Sequence, residues 1–105
     1  MRLVWTRHAI DRGYTRLGKK YGMDKLEEKI LININRAKPN KDGKSALIPF
    51  KLGRKRCIAV VIPEGADGRV GVIKSLYTIT QQKHRAIFSK NKSQTFLKKT
   101  LDNHR

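Results

Sequence analysis

The sequence predicts an α+β domain in which two N-terminal helices are followed by a small antiparallel β-sheet. The sheet is expected to be a meander of three or more strands, followed by a basic C-terminal extension. Up to residue 37, apolar residues recur at helical spacing, whereas residues 46–80 are rich in β-branched residues and are divided by short turns. Because the turns are too short to hold a crossover helix, the strands are expected to run antiparallel.

The first helix is predicted to begin after Thr6, a residue type that suits the N-cap position. The segment before it, Arg2 to Trp5, is a short apolar lead-in. One side of the helix carries residues that can face the core, namely Ile10, Tyr14, Leu17 and Tyr21. The opposite side carries His8, Arg12 and Arg16.

A second helix is predicted from the capping-box-like pair Asp24 and Glu27. Its buried face would consist of Leu26, Ile30, Ile34 and Ala37. Residues 30–35 also alternate between apolar and polar as a strand does. The cap and the helix-forming residues 25–29 favour a helix.

Three strands are predicted in the second half of the chain, over 46–50, 56–62 and 69–80. Pro49 lacks a backbone N–H, which favours an edge position for the first of them. Cys57 lies in an apolar run and is predicted to be a core residue. It is the only cysteine, so an internal disulfide is excluded.

Residues 1–80 are predicted to form a single domain, and residues 81–105 a basic C-terminal extension. The extension carries seven Lys or Arg residues and one acid, Asp102. Ser93 suits the cap of a short helix carrying Phe96, Leu97 and Leu101. The extension could be frayed, or it could be an arm that grips phosphate, since basic tails do both.

Charge is the strongest functional indication in the chain. Basic residues outnumber acidic ones 25 to 8, for a formal net charge of +17, and they occur throughout the sequence. Such a field favours nucleic acid or an acidic protein as the partner. With no long apolar stretch and no secretory signal pattern, we expect no membrane contact and a cytoplasmic location.

Metal chemistry and a bound cofactor are not expected. The three histidines are scattered, and neither a Cys/His pair at ligand spacing nor a tight carboxylate cluster occurs. Metal-free RNA cleavage needs fewer protein groups, because the 2′-hydroxyl of RNA is itself the nucleophile. A histidine can accept or donate the transferred proton at neutral pH, and an arginine can bind the phosphate oxygens.

Two short segments and the order of elements over residues 2–80 resemble those of a known family. The segments are Thr6-Arg7-His8-Ala9-Ile10-Asp11-Arg12 and Val72-Ile73-Lys74-Ser75-Leu76-Tyr77. They resemble the metal-independent RNase toxin superfamily, which includes barnase, colicin D and RelE. Small members with an N-terminal His-Ala helix are the most similar. The chain departs from these members in its long basic tail and in Lys74, in the middle of the last strand.

The resemblance implies roles for four residues. His8 would be the acid/base, Arg12 would hold the scissile phosphate, and Ser75 and Tyr77 would line the cleft from one face of the last strand. Further candidate contacts to nucleic acid are Arg7, Arg16, Lys51, Arg54, Arg56, Lys74, Lys83 and Arg85.

The function expected first is therefore a metal-independent endoribonuclease that leaves a 2′,3′-cyclic phosphate and acts as a toxin or host-interference enzyme. Its substrate would be tRNA, rRNA or mRNA, and an acidic antitoxin or immunity protein would be a further partner. The alternative is a basic module that binds RNA or DNA without chemistry. The uniform charge and the lack of an unambiguous catalytic set support that alternative.

Overall fold

The computed structural model describes residues 1–65 and 67–88. Five strands and three helices make up this part of the chain. In order they are β1 (Arg2–Trp5), a π-helix (Ala9–Gly18), α1 (Met23–Ile32), a 3₁₀ turn (Ile34–Arg36), β2 (Lys38–Pro39), β3 (Ala46–Leu52), β4 (Lys55–Glu64), β5 (Val70–Ile79) and α2 (Gln81–Phe88).

The five strands form one mixed sheet in the order β1-β5-β4-β3-β2. The strands from β2 to β5 pair antiparallel, whereas β1 pairs parallel with β5. The predicted arrangement of two N-terminal helices followed by an antiparallel meander was therefore wrong. The chain is α+β, but its first element is a strand, and the parallel pair places residues 2–5 beside residues 70–73 in the sheet.

Strand β1 was missed because four residues are too few to show alternation. Its position depends on backbone hydrogen bonds and on one buried side chain. The Arg2 N–H donates to the Arg69 carbonyl (2.7 Å), the Thr6 N–H donates to the Ile73 carbonyl (3.3 Å), and Leu3 is buried. Only Val70 to Ile73 pair with β1. The rest of β5 has no strand partner on that side among the described residues.

Helices cover both faces of the sheet. The π-helix and α1 pack on one face, over a core that includes Leu26, Ile30 and Leu76. Helix α2 packs on the other face, where Ile87 and Phe88 contact a smaller cluster. That cluster consists of Leu47, Ile58 and Val60.

Thr6 caps the first helix, as predicted, and also ties it to the sheet. Its Oγ1 accepts a hydrogen bond from the Ala9 N–H (3.1 Å) and donates one to the Ile73 carbonyl (2.8 Å). A single hydroxyl therefore sets both where the helix begins and where it sits on β5.

We expect Thr6→Val to lower the free energy of unfolding by about 1–2 kcal/mol, because valine keeps the shape and loses both hydrogen bonds. Urea unfolding followed by Trp5 fluorescence measures this loss. Thr6→Ser keeps the hydroxyl and is the control. Equal unfolding midpoints for the two variants would show that the hydroxyl contributes nothing.

The first helix is of the wide π type rather than the expected α type. The Thr15 hydroxyl bonds back to the carbonyl of Ile10, five residues earlier, at 2.9 Å. Gly13 lies against β5, so closely that a Cβ built there would be 2.8 Å from the Cβ of Leu76. Because Gly13 has no side chain, the helix and the strand can approach each other closely at this point.

The second helix forms, but it ends at Ile32, so Ile34 and Ala37, which were predicted on its buried face, lie beyond it. Its cap also differs from the prediction. Gly22 occupies its N-cap without a side-chain hydrogen bond. Glu27 instead accepts a hydrogen bond from the Trp5 indole N–H (2.7 Å), and Trp5 packs edge-on against Tyr14. This contact joins β1, the π-helix and α1.

The edge position predicted for the first of the three strands was wrong, because β3 lies between β4 and β2. Only Ala46 and Leu47 pair with β2, so Pro49 itself has a strand partner on one side among the described residues. Cys57 is fully buried, and burial raises the pKa of its thiol. It is therefore a core residue rather than a nucleophile.

The first eight residues of the predicted extension form α2. Thr80 caps this helix, since its hydroxyl accepts a hydrogen bond from the Lys83 N–H (3.2 Å). The short helix predicted from Ser93 lies outside the described residues. Within those residues, no helix combines the length and the apolar character needed to cross a bilayer.

Candidate nucleic-acid interface

A basic groove of about 690 Å³ runs along the part of β5 that β1 leaves unpaired. We call it the arginine groove. Its charged residues lie on the π-helix, in the turn between β3 and β4, and at the start of β4. Tyr77 of β5 also lines it. The charged residues are Arg12, Arg16, Arg54, Lys55 and Arg56.

The local structure explains why these cations meet. Arg12 and Arg16 lie on the exposed side of the π-helix, one turn apart. Gly53 is the first residue of a two-residue hairpin turn and has a φ of 62°, a left-handed conformation that glycine adopts without strain. The turn places Arg54 and Arg56 at the end of the sheet, opposite the helix.

Acids in the described part of the chain do not compensate the charge in this groove. None of the described carboxylates lines it. The ion pairs found among the described residues lie elsewhere, at Arg7–Asp11, Lys25–Glu28, Arg69–Asp67 and Lys74–Asp42. Five like charges in one groove repel one another, so the site favours an anion with several charges.

The structure brings together two of the four predicted catalytic residues. Arg12 and Tyr77 both line the arginine groove, whereas His8 and Ser75 do not. His8 is exposed in the first helical turn. Its role as an acid/base stays a prediction.

Ser75 and Tyr77 lie on the same face of β5, as expected, but that face is opposite the π-helix. Ser75 pairs with Val60, and Tyr77 pairs with Ile58, both of which belong to the cluster under α2. Tyr77 and Arg12 line the same groove because it follows the edge of β5 that β1 leaves unpaired, where side chains from both faces are accessible.

Tyr77 keeps 39% of its surface exposed, and the burial of the remainder raises the pKa of its phenol above the ordinary value of 10.0. The hydroxyl is therefore protonated at neutral pH. It can donate a hydrogen bond or a proton to a phosphate oxygen, but it is a poor base.

The other predicted cations are dispersed. Arg7 is 95% exposed and lies 3.9 Å from Asp11, whereas Lys74 lies 3.9 Å from Asp42. Lys83 and Arg85 are exposed on α2. None of these four lines the arginine groove.

Asp42 makes its hydrogen bonds within its own loop. Its carboxylate accepts hydrogen bonds from the backbone N–H groups of Ser45 and Lys44 and from the Ser45 hydroxyl, which lowers its pKa to about 2. The neighbouring Lys74 is therefore beside a permanent negative charge, unlike the cations of the arginine groove.

Sequence reasoning missed several residues that the structure places in grooves. Lys55 and Gln81 line the arginine groove, and Lys55 could have been found from its place between Arg54 and Arg56. A second groove is lined by Arg36 and His84, which were missed, together with Lys51 and Arg56, which were predicted. The signal for His84 was its position four residues after the cap Thr80 and four before Phe88.

In the described ranges, no cluster of three or more His, Cys, Asp or Glu side chains could hold a metal ion. Comparisons with models of protein families, with curated proteins and with solved structures found no match to this chain.

Proposed function

We propose that the arginine groove binds the phosphate backbone of unpaired RNA. The observation that carries this proposal is the convergence of five cations on one groove that no acid of the described residues lines. Arginine favours phosphate because its planar donors fit two oxygens at once. In the proposed function the protein acts in the cytoplasm, and RNA rather than a membrane is its partner.

One feature of the groove favours an unpaired strand over a duplex, and another favours RNA over DNA. The partly exposed ring of Tyr77 lies beside the cations, where a base freed from its partner can stack. Thr78 and Gln81 also line the groove and offer hydrogen-bonding groups to a 2′-hydroxyl, which DNA lacks.

Binding can be measured by fluorescence anisotropy with labelled single-stranded RNA, single-stranded DNA of the same sequence, and duplex DNA. If all five cations contact phosphates, the logarithm of the association constant should fall against the logarithm of the salt concentration with a slope of about −3.5. RNA should bind most tightly. A slope near zero, or a preference for duplex DNA, would contradict the proposal.

A second candidate function is metal-independent RNA cleavage, with an acidic antitoxin or immunity protein as the inhibitor that covers the same cations. It is favoured by the shared location of Arg12 and Tyr77. Arg12 would neutralise the phosphate, and Tyr77 would protonate the leaving 5′-oxygen. Cleavage also needs a proton acceptor for the 2′-hydroxyl, and within residues 1–65 and 67–88 no histidine or carboxylate lines this groove.

A further inference from the structure

A second basic groove, of about 410 Å³, lies next to the arginine groove and contains a histidine. We call it the histidine groove. Five elements contribute to it, namely α1, the 3₁₀ turn, β3, β4 and α2. Its titratable residues, in that order, are Lys29, Arg36, Lys51, Arg56 and His84. Arg56 lines both grooves, so a strand bound in one can continue into the other.

The sequence fixes His84 in place through the cap and the apolar face of α2. The His84 N–H donates to the Thr80 carbonyl (2.9 Å), in the first turn of the helix. Ile87 and Phe88 pack on the sheet, three and four residues further along. The His84 ring lies 4.8 Å from the Phe88 ring. Because these residues share one helical face, packing the helix also positions the imidazole.

The surroundings keep this imidazole in its neutral form. Burial lowers the pKa of His84, and the charges of Arg56, Arg36 and Lys51 lower it further. Lys29 adds a cation from α1, and among the residues that the structure describes no carboxylate lines the groove. A neutral imidazole has a lone pair and can accept a proton at neutral pH.

A histidine on a helix can also be simply a packing residue, and its contact with Phe88 fits that role. Packing does not explain why cations from four other elements line the same groove. Such a groove costs stability by self-repulsion unless an anion occupies it. A phosphate held there would lie among these cations, beside a proton acceptor.

We propose that His84 accepts the 2′-hydroxyl proton in a metal-independent RNA cleavage site that it forms with Arg36, Lys51 and Arg56. This rests on the proposed binding of RNA in the arginine groove, which would deliver the strand through Arg56. The substrate is unpaired RNA, because only an unpaired nucleotide can bring its 2′-oxygen into line with the bond that breaks.

The step is an internal transesterification. The 2′-oxygen forms a bond to the adjacent phosphorus, and the bond from phosphorus to the 5′-oxygen breaks. The 2′-hydroxyl proton passes to His84, which releases it to solvent, while the leaving 5′-oxygen takes a proton from solvent. The products are a 2′,3′-cyclic phosphate and a 5′-hydroxyl. Arg36, Lys51 and Arg56 stabilise the charge that develops on the phosphate oxygens.

The test uses the full chain, EDTA and two substrates, total RNA and a labelled unstructured RNA that contains every dinucleotide step. The wild-type protein should produce fragments that end in 2′,3′-cyclic phosphate, and the 2′-deoxy version should stay intact. His84→Ala and His84→Gln should each lower the rate at least 100-fold while leaving RNA affinity within about threefold. Gln82→Ala, on the same helix, should cut at the wild-type rate.

The pH profile separates a proton acceptor from a structural residue. The wild-type rate should rise with pH and level off below pH 6.5, because the base must be deprotonated and the pKa of His84 is lowered from that value. Arg36→Ala removes one of the repelling cations, so its profile should move to higher pH.

Three results would overturn the cleavage proposal. They are intact RNA after incubation with the wild-type protein, equal cutting by wild type and both His84 variants, and cutting that His8→Ala abolishes but His84→Ala does not. None of these results contradicts the proposed RNA binding, which the salt dependence of the association constant tests separately. Conversely, a failure to bind RNA would overturn the proposed function whatever the cleavage assay shows.

Discussion

Removing one arginine from each wall of the arginine groove, as in the double variant R12A/R54A, is expected to weaken RNA binding by about 100-fold. A hydrogen bond to a charged group contributes about 1.5–3 kcal/mol, and each 1.4 kcal/mol is about tenfold in affinity. The salt slope should also become shallower by about 1.4, since two phosphate contacts are lost. Anisotropy titrations at several salt concentrations give both quantities.

A chain with a net charge of +17 will attract RNA through its overall field, so the control must change the charge equally. K25A/K41A removes two cations that do not line the arginine groove. We expect it to change affinity less than about threefold. Similar losses in the two double variants would mean that the groove is not the binding site.

Gly13→Val should cause the largest loss of stability, about 3 kcal/mol or more. A Cβ at this position meets the Cβ of Leu76 at 2.8 Å, and Leu76 is anchored in β5, so the helix must move away from the sheet. For a domain of this size the melting temperature should fall by about 12 °C or more. Calorimetry or thermal circular dichroism would measure it.

The matched control introduces the same side chain on the exposed side of the same helix. Asp11→Val carries the same cost of a β-branched residue in a helix but meets no neighbour, because Asp11 is exposed. Its only described ion pair is the exposed one with Arg7, which contributes little. Equal melting temperatures for the two variants would mean that Gly13 is not a point of close approach.

Much of the local structure could be predicted from the sequence, because local physics determines it. The cap at Thr6, the buried face of α1 around Leu26 and Ile30, and the three long strands follow from periodicity and turn residues. The position of β1 could not be predicted. A parallel pair between residues 2–5 and 70–73 depends on contacts far apart in the chain, and four residues carry too little pattern to indicate it.

The sequence could predict that the protein has a basic nucleic-acid interface, but not which residues form it. Arg12 and Tyr77 line one groove because β1 pairs with only the first four residues of β5, which leaves the rest of that edge without a strand partner among the described residues. Sequence spacing could indicate that Arg12 and Arg16 share a side of the helix. It could not indicate that the turn at Gly53 brings Arg54 to face them, nor that α2 folds back to bring His84 beside Arg56.

The incomplete pairing of β5 has a consequence for association between copies of the chain. An unpaired strand edge is a template for a strand from another molecule, and such contacts lead to aggregation. Here that edge is flanked by Arg12, Arg16 and Arg54, so two copies that approach edge to edge meet strong electrostatic repulsion. Raising the ionic strength, or adding any polyanion, screens this repulsion. The cations proposed to bind RNA therefore also disfavour pairing between these β5 edges, and this protection weakens as their charge is screened.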